Sequence, residues 1–414
     1  MRLAALLVAV ALAAGACDSP ETATTSTPTG ATSSSLGPVI SDRLVAELQL
    51  EELAGRVESL RELEFLQPVT VSIVDDDDFR ARAIALASPP VDLDGDVAAG
   101  WLRLLGVLPP ETTVYAATGR LLQTGAALYD RTSNAVLVRA GAGLDAYVEA
   151  AVVHEMVHAL HHQHFGTPRL PAVGEPAYVY RALSEGDARR ITDQFIDQLD
   201  PAARNSFEEG ALTADEDATA IRASTPAYVL DLLTLPVSYG ARFLTSNQQA
   251  DSHLAAFADG VPVSSEELIV TGADTERLDP ELRPVTVLPY EPFPVVDTLG
   301  AGTLQLLFRQ VLLEGLAGTA VVGWGGDAVD IRVDGSEVIL AYAFRGETAA
   351  DAEEVAAAFR LLLDTRLTDG AYAAVRVDGD TTLVLAASDP SVAPRLDDLF
   401  GNFGDEVFVV ELGG

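Results

Sequence analysis

The chain has 414 residues and a formal net charge of −36, because 62 acidic residues outnumber 26 basic ones, all of them arginine. Nucleic acids and anionic membrane surfaces bind through basic patches, so this charge balance disfavours both as partners. The length is enough for two or three domains, and a single cysteine, Cys17, excludes a disulfide framework and a cysteine-based metal site.

The first seventeen residues have the pattern of a targeting signal. Arg2 supplies a positive charge, residues 3–14 are apolar, and small residues at positions 14–16 precede Cys17. The apolar stretch is shorter than the roughly 20 residues that an ordinary membrane-spanning helix needs. We therefore predict that residues 1–17 are a signal peptide.

Cys17 is the predicted lipidation site. Its position resembles a bacterial lipobox, which implies a diacylglyceryl thioether on Cys17 after cleavage. Residues 18–38 are mainly Ser, Thr, Pro, Gly and Ala, so they are predicted to be a flexible tether. Such an order predicts a lipoprotein held by its lipid on the extracytoplasmic side of a bacterial membrane. Ala14 replaces the leucine that is commonest at this lipobox position, so simple secretion stays open as an alternative.

The segment between the tether and the first histidine is predicted to contain helices, strands and one hairpin. The predicted segments are a helix over Ser41–Phe65, a strand over Val69–Val74, a helix over Trp101–Leu108, and hairpin strands over Ala126–Tyr129 and Ala135–Arg139. The aspartates of Asp75–Asp78 lack the spacing of an EF-hand calcium loop. They are predicted to form a solvated loop and the N-terminus of a helix.

A histidine-rich segment follows the hairpin. Five of the six histidines lie within eleven residues, and two of them belong to the motif His154-Glu155-x-x-His158. Residues four apart lie on one face of a helix, so both imidazoles can bind one metal ion. Glu155 projects beside this pair, where it can take a proton from a metal-bound water as that water attacks a carbonyl.

The motif is predicted to lie on a buried helix. Asp145 is a good N-cap and Gly166 is a good helix stop. The residues between them are apolar on nearly all sides. Buried histidines and glutamates need partners, because an unpaired polar group costs roughly 2–7 kcal/mol in apolar surroundings. A metal ion is such a partner.

The neighbouring histidines offer a rival arrangement. His158 and His162 repeat the four-residue spacing, but Ala159 stands where the glutamate of the motif would be, so this pair could bind metal without supplying the base. The other interpretation is that His161, His162 and His164 line the pocket or cap the helix end, where the helix dipole favours a cationic histidine.

A second helix is predicted over Ala177–Leu199, and it contains Glu185 followed by Gly186. Glycine in a helix interior is destabilising by roughly 1 kcal/mol relative to alanine, so close approach of another helix is expected there. The metal helix is the expected neighbour, and Glu185 would then complete the three protein ligands that a catalytic zinc needs. Asp187 and Glu175 are the competing ligands.

The sequence changes character from about residue 274, where prolines interrupt regular structure. The predicted strands are Val338–Phe344, Val375–Val377, Leu383–Ala386 and Val407–Val410, and the predicted helices are Thr298–Leu316, Ala349–Leu363 and Pro394–Phe400. The run Gly323–Asp327 is predicted to be a packed tight turn. Residues 274–414 are thus predicted to be a smaller α+β portion that follows a domain over residues 39–273.

With these motifs assembled, the chain resembles the gluzincins, and within them the secreted or lipoprotein metallopeptidases of bacteria. The motifs that carry the resemblance are Tyr129-Asp130, the HExxHALxxQ helix from His154 to Gln163, Glu185 to Ala188, Tyr239-Gly240 and Gly323 to Asp327. The resemblance implies that one zinc ion is bound by His154, His158 and Glu185, with Glu155 as the general base. His161-His162 departs from the residues usual in such relatives, so the rim of the pocket is expected to differ from theirs.

The resemblance also implies a fold and a substrate. Residues 39–273 would form a zincin-like α+β domain with a mixed sheet and a buried metal-binding helix. The strand before that helix is where zincins keep the sheet edge that receives an extended peptide, through backbone hydrogen bonds. The expected substrate is a peptide or protein.

Two functions are weighed. One is a zinc-dependent endopeptidase, and the other is a non-catalytic zinc-binding lipoprotein that buffers metal or serves as a scaffold. The intact Glu155 favours the enzyme, because a storage site needs no base. Tyr239 is the candidate donor for the oxyanion of the transition state. His253 is the runner-up, followed by Tyr178 and Tyr180, and a core tyrosine bonded to backbone is the other interpretation of Tyr239.

Overall fold

The structure is a computed structural model that describes residues 51–87, 95–140, 144–166, 174–246, 264–270, 285–286, 295–334, 337–394 and 408–409. Its elements form two compact units. The first comprises Met1–Val91, Leu122–Arg169 and Ile191–Asp217, and the second comprises Asp92–Leu121, Leu170–Arg190 and Ala218–Gly414. Helices and mixed or antiparallel sheets occur together, which confirms the predicted α+β class. The signal peptide, Cys17, the tether and His253 lie outside the described residues.

The first unit contains a mixed three-stranded sheet. Its strands are β1 (Thr70–Val74), β2 (Ala127–Asp130) and β3 (Ala135–Arg139), in the order β1-β3-β2. β2 and β3 pair antiparallel, which confirms the hairpin, and β1 pairs parallel with β3. The expectation that the strand just before the metal helix forms the sheet edge is wrong, because β3 is central. Of the two hairpin strands, β2 is the one at an edge of the sheet.

Two helices precede the hairpin in the described part of this unit, and the second of them packs against the sheet. Residues 51–61 form α1 and Asp76–Leu86 form α2, whose N-cap Asp75 accepts a hydrogen bond from the Asp78 amide at 2.8 Å. The aspartate run is therefore a loop and a helix N-terminus, as predicted. Phe79 and Ala83 of α2 pack against sheet residues, among them Leu137, in an apolar core.

The histidine-rich segment is α5 (Ala146–Phe165), which packs against β2 and β3. Asp145 caps it by accepting from the amides of Tyr147 and Val148 at 3.0 and 2.9 Å. Gly166 ends it with φ of 70°, a left-handed conformation that favours glycine. Nearly every residue from Ala146 to His161 is buried, so the predicted buried helix is confirmed.

The second unit contains a five-stranded antiparallel sheet. In sheet order its strands are β5 (Val295–Asp297), β6 (Trp324–Asp334), β7 (Glu337–Gly346), β9 (Thr381–Ala387) and β8 (Tyr372–Asp378). A separate antiparallel pair joins β4 (Val285–Thr286) to β10 (Phe408–Val409). The four predicted strands in this region are confirmed, but β6 is not among them. The predicted tight turn over Gly323–Asp327 is wrong: Gly323 turns with φ of 81°, and β6 begins at Trp324 with a bulge.

The helices of this unit differ from the predictions at their ends. The described helices are α3 (Gly95–Leu104), α4 (Val114–Leu122), α6 (Glu175–Asp197, which continues into the first unit), α7 (Pro201–Ser224, which begins in the first unit), α8 (Ala227–Ser246), α9 (Ser265–Ile269), α10 (Gly300–Phe308), α11 (Glu314–Thr319) and α12 (Ala349–Arg366). α3 ends before the predicted Leu108, because Gly106 adopts φ of 66°. The predicted helix Thr298–Leu316 is two helices, α10 and α11. Among the helices of the described residues, none is long and apolar enough to cross a membrane.

A close crossing of α6 and α8 explains why Gly186 stands in the interior of α6. A Cβ on Gly186 would overlap the backbone of Gly240 and Ala241 in α8, and a Cβ on Gly240 would overlap the Ala182 carbonyl in α6. The predicted close approach is confirmed, but its partner is α8 and not the metal helix. The crossing lies on the turn of α6 that carries Glu185.

Candidate metal centre

His154 and His158 present the same ring nitrogen to each other. Their Nε2 atoms are 3.3 Å apart, and the two rings meet edge to face with centroids at 5.0 Å. Two nitrogens bound to one tetrahedral zinc at about 2.0–2.1 Å lie about 3.3 Å apart. The pair therefore has the separation that a shared ion requires, and both side chains are buried, with 5% and 6% exposure.

Glu185 joins this pair. One ligand atom from each of His154, His158 and Glu185 lies within 4.8 Å of the others, and all three residues are buried. Within the described part of the chain, this is the one such group of three metal-ligating side chains. Two imidazole nitrogens and one carboxylate form a donor set that zinc accepts.

The two competing carboxylates have other partners. Asp187 accepts from Arg190, with Nη2 at 2.7 Å and Nε at 3.1 Å from its Oδ1. Glu175 accepts from the amide and the hydroxyl of Ser265 at 2.5 and 2.6 Å. The structure thus brings Glu185, and neither competitor, into the histidine group.

Glu155 is held by the edge strand. Its side chain is fully buried, and its Oε2 accepts a hydrogen bond from the Tyr129 amide of β2 at 2.8 Å. A carboxylate that accepts a backbone N–H has a fixed orientation. The residue predicted to be the base is therefore fixed beside His154 by strand and helix together.

Tyr129 also binds His162, the second member of the rival pair. The Tyr129 hydroxyl lies 2.7 Å from His162 Nδ1 and 3.0 Å from Asn134 Oδ1. Burial is the main cause that raises the pKa of Tyr129 above its ordinary value and lowers that of His162. A neutral His162 bonded to a neutral tyrosine fits these directions. His162 Nδ1 therefore already has a hydrogen-bond partner, the Tyr129 hydroxyl.

The remaining histidines of the cluster lie toward the end of α5. His161 is buried, with its ring 6.2 Å from that of His158. His164 donates from Nε2 to the Glu64 carbonyl at 2.8 Å, so it links the last turn of α5 to the loop between α1 and β1. Gln163 belongs to the same junction, because its Nε2 donates to the Gln67 carbonyl at 3.0 Å.

The candidate oxyanion donor Tyr239 lies on α8. Its side chain is buried, and its hydroxyl accepts a hydrogen bond from Gln305 Nε2 of α10 at 2.7 Å. A hydroxyl that accepts one bond still has its own hydrogen to donate. Its role in the reaction stays a prediction, as do those of Tyr178, which is buried, and Tyr180.

Two residues at the site were assigned no role from the sequence. Tyr129 acts through its backbone amide, which leaves no signature in residue type. Arg181 left a signal, since it precedes Glu185 by four residues and so lies on the same face of α6. Arg181 is buried; burial lowers the pKa of its guanidinium, and the negative charge of Glu185 opposes that shift. Arg181 therefore interacts electrostatically with the Glu185 carboxylate.

Comparison of the chain with protein-family models, with curated proteins and with solved structures finds no match. The case for a function consequently depends on the geometry of the site and on the motif that predicted it.

Proposed function

We propose that the chain is a zinc-dependent metallopeptidase of the gluzincin type, held on the extracytoplasmic side of a bacterial membrane by a lipid on Cys17. The observation that carries the proposal is the 3.3 Å separation of the His154 and His158 Nε2 atoms, with the Glu185 carboxylate in the same buried group. Glu155 beside them supports an enzyme over a storage protein, because metal storage needs no base.

The three ligands would differ in charge. His154 and His158 would bind through neutral Nε2 atoms, while Glu185 would supply one negative charge. One such charge leaves a divalent ion partly uncompensated, which suits Lewis-acid chemistry. A bound zinc supplies that chemistry by lowering the pKa of water to about 7 and by polarising a carbonyl. Arg181 would keep Glu185 ionised.

Glu155 would move the proton. Its carboxylate, oriented by the Tyr129 amide, would take a proton from the attacking water. The same carboxyl would then deliver that proton to the leaving amine. Because strand β2 fixes the carboxylate beforehand, little reorientation is needed during the reaction, and such preorganisation favours catalysis.

The test combines zinc content with hydrolysis by the purified full chain, assayed on a library of fluorogenic peptides. Glu155→Gln is expected to keep one zinc and lose hydrolysis, because the amide keeps the shape of the side chain but accepts no proton. Glu149→Gln is the matched control, since Glu149 lies on the same helix, outside the motif. It is expected to keep both properties.

Two results would overturn the proposal in different ways. Full zinc content without hydrolysis by the unmodified chain would leave the non-catalytic metal-binding protein as the better account. Hydrolysis that survives Glu155→Gln would show that another residue is the base.

A further inference from the structure

We propose that a second cavity, which lies wholly within the second unit, binds an amphipathic anion: a carboxylate attached to an apolar group. The cavity has a volume of about 750 Å³, which is within the usual range for small-molecule sites. It is distinct from the metal centre, since its lining includes no residue of that group. The proposal does not depend on the proposed peptidase activity.

The wall of the cavity is mainly apolar. Leu104, Val107 and Leu108 come from the end of α3 and the loop after it, while Val333 and Val338 come from the ends of β6 and β7. Three prolines and three small residues add further apolar surface: Pro109, Pro110, Pro226, Gly100, Gly106 and Ala227. Such a wall favours a ligand with an aliphatic or aromatic body.

The charge of the cavity is opposite to that of the chain. Its only charged lining residues in the described part of the chain are Arg103 and Arg366, and none of its sixteen lining residues is acidic. The chain as a whole has 62 acidic residues against 26 basic ones. A cavity with two cations and no acid is therefore the place where this protein would accept an anion.

The two arginines come from one junction. Thr368 donates from its amide to the Leu104 carbonyl at 3.1 Å and from its hydroxyl to the Arg103 carbonyl at 2.8 Å. A Cβ on Gly106 would overlap the Arg366 carbonyl. The last turns of α3 and α12 thus pack together, and each contributes one arginine to the cavity.

Both guanidiniums are oriented by backbone. Arg103 Nε donates to the Thr112 carbonyl at 3.1 Å, and Arg366 Nη2 donates to the Gln310 carbonyl at 3.0 Å. The bond to Gln310 is the only hydrogen bond that the Arg366 guanidinium makes to the described residues, so it occupies one of five N–H donors. The planar group has paired donors left that match a carboxylate. Arg366 is therefore the main anion contact.

The test is calorimetric titration of the full chain with octanoate, with 1-octanol and octylammonium as probes of equal chain length. Octanoate is expected to bind, 1-octanol to bind at least tenfold more weakly, and octylammonium not to bind. N-acetyl-leucyl-leucine, titrated in parallel, separates the two natural sources of such a ligand, a fatty acid and the carboxyl end of an apolar peptide.

Arg366→Gln is expected to weaken octanoate binding by roughly tenfold or more, the usual effect of losing a hydrogen bond to a charged group. Arg360→Gln is the matched control, because Arg360 lies on the same helix, is exposed and does not line the cavity. It is expected to bind as the unmodified chain does. Added salt should weaken the binding of octanoate and leave that of 1-octanol unchanged.

Three results would overturn the proposal. Equal affinity for octanoate and 1-octanol would reduce the site to an apolar cavity without anion recognition. Equal losses of octanoate affinity in Arg360→Gln and Arg366→Gln would mean that the overall charge of the chain causes the effect. No binding of either carboxylate would show that the cavity is not a ligand site.

Discussion

At the scale of single residues, the metal centre depends on which histidine nitrogen meets which partner. His154 and His158 direct Nε2 toward a common point, whereas His162 uses Nδ1 to bond the Tyr129 hydroxyl. The two candidate chelating pairs, equal in spacing, are therefore unequal in their contacts. His158 can serve only one of the two pairs, and it faces His154.

The bond between Tyr129 and His162 gives a first prediction. His162→Ala is expected to lower the free energy of unfolding by about 1 kcal/mol through loss of its bond to Tyr129, and Tyr129→Phe by about 1–2 kcal/mol, because it also loses the bond to Asn134. Because both changes remove the same bond, the double variant should lose less than the sum. All three variants should keep stoichiometric zinc. Urea denaturation and metal analysis measure these effects, and zinc loss in His162→Ala alone would make His162 a ligand.

The choice of carboxylate in α6 gives a second prediction. Glu185→Gln is expected to weaken zinc binding by at least tenfold, since the charged ligand is lost. Asp187→Asn is the matched control two residues away; Asp187 already pairs with Arg190, so zinc affinity should change little. Competition with a chelator of known affinity measures both variants. The reverse order of effects would mean that Asp187 is the ligand.

At the scale of elements, α5 is the most predictable part of the fold. The motif spacing, the Asp145 cap and the Gly166 stop are local signals, and each is present in α5. The hairpin β2–β3 was predictable for the same reason, since two short apolar runs flank a polar turn. What the sequence did not reveal is that β1 pairs beside β3 and leaves β2 at the edge, because strand order depends on distant pairing.

Strand β6 shows why other elements were missed. Asp327 and Asp330 stand at positions where a buried strand usually has apolar residues. Both side chains are buried. Asp327 accepts four hydrogen bonds, from the amides of Leu299 and Gly300, the Trp324 indole and the Tyr342 hydroxyl. Three of these four donors come from distant parts of the chain, which no local pattern reports.

The crossing of α6 and α8 gives a third prediction. Gly240→Ala is expected to lower the free energy of unfolding by roughly 1–3 kcal/mol, because its Cβ would overlap the Ala182 carbonyl, and backbone yields little. Zinc affinity should fall as well, since Glu185 is on the same part of α6.

A matched glycine separates this effect from helix propensity. Gly55 lies in α1, and a Cβ there would meet nothing within 4 Å. Gly55→Ala is therefore expected to be stabilising by up to about 1 kcal/mol. Denaturation and zinc titration of both variants measure the difference. Equal stability of the two variants would mean that the helices do not pack closely at Gly240.

At the scale of the whole molecule, buried carboxyl groups make the stability of the fold depend on pH. In the second unit, burial is the main cause that raises the pKa of Glu175 to about 8, of Glu266 to about 7 and of Asp327 to about 6. In the unfolded chain such carboxyls titrate near pH 4. Between these values the folded protein binds more protons than the unfolded chain does.

The fourth prediction follows from that difference. A raised carboxyl pKa contributes stability that is present below about pH 4 and is lost as the pH rises to about 8, so the melting temperature should fall from pH 5 to pH 8. Glu175→Gln, which cannot ionise, should flatten the profile, whereas Glu354→Gln on the exposed face of α12 should not. A melting temperature that rises over this range in the unmodified chain would contradict the buried carboxyl set.

The zinc content of purified chains, determined by mass spectrometry, tests the central claim most directly. The unmodified chain is expected to hold one zinc, and His154→Ala and His158→Ala are each expected to hold none. His164→Ala should keep the ion, because its ring is bonded to the Glu64 carbonyl. Retention of one zinc by both His154→Ala and His158→Ala would contradict the account.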